Sequence, residues 1–524
     1  MQQRPNLKAT PLLAAVVAML SGLSGCGGQA TPQPQAAPAE TAPSTPADPG
    51  QRTSQNNAPG DAVSRPGFFE NTTQNIGHHN SARQPDGPGD GSSRPQPVYR
   101  LSDNRPTHDD RALAAFGVHL YQSKRLKLYT DIDPKIAQKL PPLIDAAYVA
   151  WEAYFGKLPP NREGTPFQMT GYLMADKELF RSAALVPDDL RPFFNGRHRG
   201  AEFWMNDQKY NYYRRHLVIH ESTHCFMEAI AGERYYEELP VWYWEGMAEL
   251  FGTHRIGPDG TVHFRVMPDD RETFAGLARI TMIRDAVQAG RYKSRHDVTR
   301  LRAEAYLKPQ AYAWSWWLCY FLDAHSRYRD SFHKLGGFLT GLRFQAAARE
   351  MFESQKPSLS TEWPLFVHNL QYGYDLQRAS IDFQAGHALK PPPQQNVVEI
   401  AADRGWQSSG FLLQKGVTYE VTATGEFTLA RKPNPWISQP QGISFDYFNG
   451  RPLGMLLAAV RVEKPESAEQ RTSMLDVVPI GRQRRFVSRW SGTLYFRLND
   501  SWSRLADNSG SVRVFVRRSA ETDR

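Results

Sequence analysis

The chain has 524 residues, with 62 Lys and Arg against 54 Asp and Glu and a formal net charge of +8. This surplus is thin for so long a chain and includes no basic run of the kind that tracks phosphates, so we expect no nucleic-acid partner. Only three cysteines are present, which excludes a disulfide framework.

Residues 1–25 have the charge and hydropathy order of an export signal. Arg4 and Lys8 precede the apolar run PLLAAVVAML, which is too short to span a membrane, and no acidic residue interrupts the segment. It ends in LSGC, a small-residue cleavage site directly before Cys26. This ending resembles the lipobox of bacterial lipoproteins, which implies a lipid on Cys26 and anchoring to a membrane. The alternative is an ordinary signal peptide in which Cys26 is incidental.

The lipoprotein resemblance also implies a location. The chain would be held in the cell envelope, facing the periplasm or the cell exterior. Gly27, not aspartate, follows the cysteine, and by the sorting pattern of that family this favours the outer membrane.

Residues 26–110 are dominated by Pro, Ala, Gln, Gly, Ser and Thr, as in TPQPQAAPAETAPSTPADPG. Such a segment cannot bury enough apolar surface to offset its backbone entropy, so we predict a disordered tether. The remaining chain is too long for one ordinary core. We predict two domains, at residues 111–388 and 396–520, joined at the proline-rich LKPPPQQ.

The motif HESTH lies inside YNYYRRHLVIHESTHCFMEAIAG, which has apolar residues at helical spacing and ends at a glycine. His220 and His224 are four residues apart, so on a helix both imidazoles can point at one ion. Glu221 points to an adjacent face, where it can reach a water on the metal without ligating it. We expect the nearby His216, His254 and Glu228 to be bystanders.

A catalytic zinc needs three protein ligands and one open position. A second helical stretch, WYWEGMAELFG, follows the motif and carries Glu245 and Glu249 one turn apart. Glu245 is placed to complete the ligand set of His220 and His224. Glu249 can accept the outer N–H of a liganding imidazole and so orient it.

Together, HESTH and W-x-x-E-G-x-A-E resemble the gluzincin zinc metallopeptidases, the thermolysin-like clan with its peptidase MA-like branch. The resemblance implies an α+β zincin-type fold and peptide hydrolysis at a zinc held by His220, His224 and Glu245, with Glu221 as general base. The spacing between the two motifs differs slightly from that of the aminopeptidases of the clan, which leaves the subfamily open.

The stretch AYAWSWWLCYFLDAHS resembles the family helix that opens with an oxyanion-stabilising tyrosine, which implies Tyr312. A core aromatic is the alternative for this position, and Tyr306 is the second candidate. Cys225 and Cys319 fall in apolar helical patterns, so we expect buried thiols, with a disulfide between them as the alternative.

Three upstream stretches have the alternation of strands: KRLKLYTD, FQMTGYLMA and GAEFWMND. We predict that GAEFWMND forms a short edge strand beside the helix of the motif. In this clan such an edge pairs with the extended substrate backbone, which gives affinity without much sequence choice.

After residue 395 the sequence alternates at period two between turns, as in GVTYEVTATGEF and GSVRVFVRR, which predicts an all-β sandwich. Its loop LNDSWSRLADNSGS offers oxygens from Asp500, Asp507 and Asn508, a composition that suits Ca²⁺ but is also common in turns.

This loop, with WQSSG and RPLGML, resembles the small calcium-dependent galactose-binding lectins of bacteria. The resemblance implies calcium on Asp500, Asp507 and Asn508, with carbonyls near Leu429 and Arg504 as further ligands. It also implies contacts to galactose-type glycans from Gln441, Asp500 and Asp507. Ser438 stands where the family has a histidine, which leaves sugar binding open beside a purely structural role.

The sequence therefore predicts an exported, lipid-anchored zinc metallopeptidase that acts on peptides or proteins and carries an accessory calcium-dependent carbohydrate-binding domain. The alternative from another class is a surface glycan-binding adhesin in which the metallopeptidase fold is an inert scaffold.

Overall fold

A computed structural model describes residues 99–232, 239–339, 343–431 and 434–519 of the chain. The predicted signal peptide, Cys26 and the first part of the predicted tether lie outside these residues. Residues 99–109, at the end of the predicted tether, lie against the first folded part. The N–H of Arg100 donates to the carbonyl of Pro160 (3.1 Å), and His108 Nε2 lies 2.8 Å from the Tyr172 hydroxyl.

The part before residue 390 mixes helices with short strands. Its helices are α1 (Asp110–Ala115), α2 (Pro134–Ala137), α3 (Leu140–Phe155), α4 (Lys177–Ser182), α5 (Asn211–Ala231), α6 (Val241–Gly252), α7 (Arg279–Gln288), α8 (Arg295–Thr299), α9 (Pro309–Ala324), α10 (Arg329–Leu335), α11 (Phe344–Glu353), α12 (Lys356–His368) and α13 (Leu376–Ala379). Its strands are β1 (His119–Gln122), β2 (Leu126–Thr130), β3 (Met169–Met174), β4 (Gly196–Arg199), β5 (Glu202–Asn206), β6 (His254–Ile256), β7 (Val262–Phe264) and β8 (His387–Ala388).

Five of these strands form one sheet in the order β1-β2-β3-β5-β4. The central pairs, β2 with β3 and β3 with β5, are parallel, whereas β1 and β4 run antiparallel to their neighbours. Helices α3 and α5 share a core with one face of the sheet, through residues such as Trp151, Phe203 and Phe226. The sheet therefore supports α5. β4 is the edge strand of the sheet next to β5.

The predicted edge strand needs a correction. GAEFWMND forms β5, which is paired on both sides, and the preceding segment 196–199 forms the edge as β4. The reason is a tight hairpin at Gly200, where φ is +61°, which returns the chain from β4 antiparallel to β5.

Helix α5 is enclosed by its neighbours, and residues 216–228 are all buried. It packs against α6, which in turn packs against α9. Gly246 makes the second contact possible, because a Cβ there would overlap Cys319 Sγ and the Ser315 carbonyl. The two cysteines are free and buried, Cys225 on α5 and Cys319 on α9.

The part from residue 390 onward is rich in strands: β9 (Asn396–Ala401), β10 (Gln407–Leu413), β11 (Thr418–Thr424), β12 (Phe427–Ala430), β13 (Trp436–Ser438), β14 (Tyr447–Phe448), β15 (Arg451–Pro452), β16 (Leu456–Arg461), β17 (Val478–Pro479), β18 (Gln483–Val487), β19 (Gly492–Leu498) and β20 (Ser509–Arg518), with a short helix α14 (Ala468–Arg471). One sheet has the order β17-β16-β19-β10-β8 and the other β13-β12-β20-β11-β18, with β9 also on β20. Alternate residues of both sheets, such as Val421, Phe496 and Val514, form a shared core.

The two parts also share a core with each other. Trp502 is 2% exposed and stacks on Tyr374, with 5.7 Å between the ring centroids. The Arg497 guanidinium lies 3.6 Å from the ring centroid of Trp502. The N–H of Asp375 donates to the Trp502 carbonyl (2.9 Å), and Arg378 pairs with Asp403 across the joint (2.9 Å). Trp502 belongs to the same buried cluster as Trp317 of α9.

The structure thus confirms a mixed helix-and-sheet part followed by a β-rich part. Among the described helices, none is long and apolar enough to cross a membrane. The predicted domain boundaries remain predictions, and β8, from the end of the first predicted domain, pairs with β10 of the second.

We expect Trp502→Ala to destabilise both parts together, because it removes a large side chain from the core that they share. Removal of a buried tryptophan typically costs about 3–5 kcal/mol. Urea unfolding followed by far-UV circular dichroism should show one transition at a lower midpoint. Ile437→Ala, at a 53% exposed position on β13, is the control and should leave the midpoint nearly unchanged. A normal midpoint in Trp502→Ala would show that the joint contributes little.

Candidate metal centre

The structure brings His220 and His224 of α5 and Glu245 of α6 together at one point. The Nε2 atoms of the two histidines are 3.1 Å apart, and each lies 3.3 Å from Oε2 of Glu245. Donor atoms bound at 2.0–2.1 Å to a tetrahedral zinc lie roughly 3.3 Å from one another. The spacing of the three donors therefore fits a zinc ion.

The electrostatics of the three residues also favour a cation. Burial opposes protonation of His220, but Glu245 and Glu249 raise its pKa to about 10. Burial alone would raise the pKa of Glu245, yet His224 and His220 lower it well below its ordinary value. Oε2 of Glu245 is buried and receives no hydrogen bond from the described residues. Glu245 is thus kept ionised, which is the form in which a carboxylate binds a metal.

Glu249, one turn after Glu245 on α6, holds the outer side of His220. Its Oε1 lies 3.3 Å from His220 Nδ1, and its Oε2 lies 3.4 Å from His216 Nε2. Arg279 of α7 binds it with two hydrogen bonds, at 2.7 and 2.8 Å. Burial would raise the pKa of Glu249, but Arg279 and His216 keep it far below its usual range.

His216, His220 and Glu249 are also close enough to one another to hold an ion. This second set suits a cation less well, since Arg279 already compensates the Glu249 carboxylate. Among the described residues, the groups of three His, Cys, Asp or Glu donors all lie around α5.

Glu221 is 5% exposed and lies beside the donors without joining them. One carboxylate oxygen of Glu221 and one ring nitrogen from each of His198 and His224 all lie within 4.8 Å of one another. Burial raises its pKa, against the opposing effect of His220 and His224. β4 passes directly over it, and a Cβ at Gly196 would overlap the Glu221 carboxylate. Glycine at 196 therefore lets the edge strand approach this close without displacing the Glu221 carboxylate.

His198 on β4 is a further member of the site that the sequence patterns did not indicate. Its Nδ1 lies 3.8 Å from Glu221 Oε2, and its Nε2 lies 3.7 Å from Glu228 Oε2. Its ring stacks on His224 at 4.6 Å between centroids. No spacing rule links it to the motif, because the contact arises from the position of β4 in the sheet. Glu228, expected to be a bystander, contacts His198 and the N–H of Gly200 (3.1 Å).

The two candidate tyrosines differ in their contacts. The ring of Tyr312, at the start of α9, lies 6.0 Å from the ring of His220. Burial and the nearby carboxylate of Glu245 raise its pKa, so its hydroxyl stays protonated and can donate. The hydroxyl of Tyr306 instead lies 2.6 Å from Ser315 Oγ. The remaining bystander, His254, bonds the Gly252 carbonyl through Nδ1 (2.8 Å) and is not part of the cluster.

The residues predicted to bind calcium lie in the C-terminal part. Asp500 is fully buried, and its carboxylate accepts hydrogen bonds from the Ser501 N–H (2.6 Å) and Asn508 Nδ2 (2.8 Å). Asn508 Oδ1 is buried and without a hydrogen-bond partner in the described part of the chain. Asp507 lies on an exposed 3₁₀ turn. The calcium site remains a prediction.

The predicted sugar contact and the two carbonyl positions lie around the same loop. Gln441 is exposed, and its Oε1 accepts a hydrogen bond from Arg482 Nε (2.7 Å). Leu429 is buried on β12. Arg504 lies in the 500–508 loop, 3.6 Å from Asp446. Sugar binding remains a prediction.

Comparison with known proteins gives a match to a family model and a match to a solved structure. A family model described as "Protein of unknown function (DUF1570)" matches residues 216–338, a stretch that holds the three donors, Glu249 and Tyr312. A solved structure titled "EclA N-terminal domain; PllA-like lectin" matches with 20% identity over 24% of this chain and 95% of that chain, with a TM-score of 0.18. No curated protein matches the chain.

We expect the purified chain to hold one zinc ion, and His224→Ala to lose it, because one of the three donors is then missing. Zinc would be counted by mass spectrometry of the metal after dialysis against a weak chelator. His263→Ala, which removes an exposed histidine of β7, is the matched control and should retain the metal. Full zinc content in His224→Ala would contradict this centre.

Proposed function

We propose that this chain is a zinc-dependent metallopeptidase of the zincin type. The convergence of His220, His224 and Glu245 at zinc spacing, with the buried Glu221 beside them, carries the proposal. The donor atoms are buried, but the side chains of Glu245 and of the neighbouring His198 are 18% and 20% exposed, so the surroundings of the centre reach solvent. An open coordination position is what distinguishes a catalytic from a structural zinc site.

A zinc ion on these ligands would supply Lewis-acid polarisation of the scissile carbonyl and a water of lowered pKa. Glu221 supplies the base. Its carboxylate takes a proton from the attacking water and returns it to the leaving amine. The raised pKa of Glu221 suits both transfers, since it brings the carboxylate closer to neutral pH.

Tyr312 would supply a hydrogen-bond donor near the centre, since its ring lies 6.0 Å from that of His220. Its protonated hydroxyl would donate to the carbonyl oxygen as negative charge develops there, which lowers the barrier only if the donor is already in place. Tyr312 is at the start of α9, and the packing of α9 on α6 through Gly246 fixes its position relative to Glu245.

The edge strand β4 supplies the surface for the substrate backbone. None of the described strands pairs with its outer side, so an extended peptide can add to it and cross Glu221 at Gly196. Backbone pairing of this kind requires an extended, unfolded segment of substrate and depends little on its side chains.

We also propose that the enzyme is exported and held at the cell envelope by a lipid on Cys26. The LSGC sequence and the Pro- and Ala-rich segment after it support this proposal. A long tether would let an anchored enzyme reach substrates away from the membrane surface.

We expect Glu221→Gln to retain zinc but to lose hydrolysis of a denatured protein substrate. Removal of a general base typically lowers the rate by about 10²–10⁴-fold. Glu272→Gln, at an exposed position, is the matched control. If the zinc-loaded wild type cleaves nothing, the alternative of an inert scaffold is favoured, and a glycan array with and without calcium becomes the test of that alternative.

We expect Tyr312→Phe to lower kcat by roughly 10²–10³-fold with little change in KM, as for loss of one oxyanion donor. Tyr306→Phe is the paired control, because its hydroxyl contacts Ser315 and not the centre. The two variants would be compared in steady-state kinetics on one peptide. The opposite order of effects would assign the donor role to Tyr306.

A further inference from the structure

Arg197 lies on β4 between the two residues that contact the base. Gly196 on one side is in contact with the Glu221 carboxylate, and His198 on the other lies 3.8 Å from it. Arg197 itself is in register with Trp204 of β5, on the other face of the strand, and Glu221 and Tyr312 both raise its pKa. A guanidinium is therefore built into the edge that we propose to receive the substrate.

This guanidinium lacks a counter-ion in the described part of the chain, where no carboxylate lies within ion-pairing distance of Arg197. Several other partly or wholly buried arginines pair with carboxylates, such as Arg214 with Asp207, Arg279 with Glu249 and Arg461 with Glu463, whereas Arg497 donates to the Asp500 carbonyl (2.6 Å). Arg199, two residues further on, pairs with Asp189 at the surface (3.1 Å).

Arg197 is half-buried, and its guanidinium stays charged in proteins. Burial lowers its pKa, and the neighbouring Arg191 lowers it further. A partly desolvated cation without a partner is unfavourable, and an anion bound beside it would offset that cost. The planar guanidinium matches a carboxylate with two parallel hydrogen bonds.

Building on the proposed peptidase function, we propose that Arg197 binds a carboxylate of the substrate, so that the site selects peptides with a negative charge next to the scissile bond. The carboxylate has two sources in peptides, the free C-terminus and the side chain of Asp or Glu. The first would make the enzyme a trimmer of chain ends, and the second an endopeptidase with acidic preference.

The test uses three acetylated peptides of the same length: one with a free C-terminal carboxylate, one with a C-terminal amide, and one with a C-terminal amide and an internal Glu. We expect the wild type to favour one anionic peptide over the neutral one by roughly tenfold or more in kcat/KM, as for a hydrogen bond to a charged group. Whichever peptide is favoured identifies the source of the carboxylate.

Arg197→Gln should remove this preference by raising KM for the anionic peptide, whereas Arg197→Lys should retain part of it. Arg199→Gln, on the same strand, is the matched control and should keep the wild-type preference. Equal kcat/KM for all three peptides in the wild type, or a preference that survives Arg197→Gln, would overturn the role of Arg197.

A binding measurement separates this proposal from the peptidase proposal. The same three peptides would be titrated calorimetrically into zinc-loaded Glu221→Gln, with and without Arg197→Gln. If the wild type cleaves nothing, but zinc-loaded Glu221→Gln binds an anionic peptide at least tenfold more tightly than the neutral one and Arg197→Gln removes this difference, the peptidase proposal falls and the carboxylate site stands. If the wild type cleaves all three peptides without any charge preference, the peptidase stands and the carboxylate site falls. Absence of preferential binding of an anionic peptide also overturns the carboxylate site.

Discussion

The buried ion pair between Glu249 and Arg279 is the contact on which the arrangement of the centre depends. Glu249 is 1% exposed, and an isolated carboxylate at that depth would be costly. Arg279 compensates it with two hydrogen bonds, and loss of one partner of such a pair typically costs about 3–5 kcal/mol. Oε1 of Glu249 lies 3.3 Å from Nδ1 of His220, and Nε2 is the ring nitrogen that faces His224 and Glu245. A residue of α7 thereby fixes which atoms of α5 converge.

The same environment gives two neighbouring carboxylates opposite properties. Burial raises the pKa of both Glu245 and Glu221, yet the two imidazoles reverse the effect at Glu245, where the nearest distances are 3.3 Å. Glu221 lies against the backbone of β4 at Gly196, and its pKa remains raised. Carboxylates whose pKa values are driven apart in one site are the usual arrangement for separate ligand and base roles. Both residues are glutamates, so their separate roles follow from the groups that their carboxylate oxygens face.

The features that could be predicted from the sequence are those that depend on helical periodicity. The spacing of His220 and His224, and of Glu245 and Glu249, predicted their convergence, because each pair shares one face of one helix. Arg279, His198 and Arg197 were not predicted, because their contacts depend on how separate elements pack. The position of β4 outside β5 follows from a hairpin at Gly200, which the strand pattern alone did not indicate. The coarse division into a mixed part and a β-rich part was predictable from the change to period-two alternation.

The loop at residues 500–508 shows why composition alone does not assign a role. Its Asp500 already accepts two hydrogen bonds, and its Trp502 is inserted into the core shared with Tyr374. The turn-forming residues that suit calcium therefore also serve to fold a loop that joins the two parts. Asn508 Oδ1, at the end of this loop, is a buried acceptor without a hydrogen bond from the described residues. Any cation held by Asp500 and Asn508 would stabilise the joint as well as the loop, because binding to the folded state alone stabilises everything that folds with it.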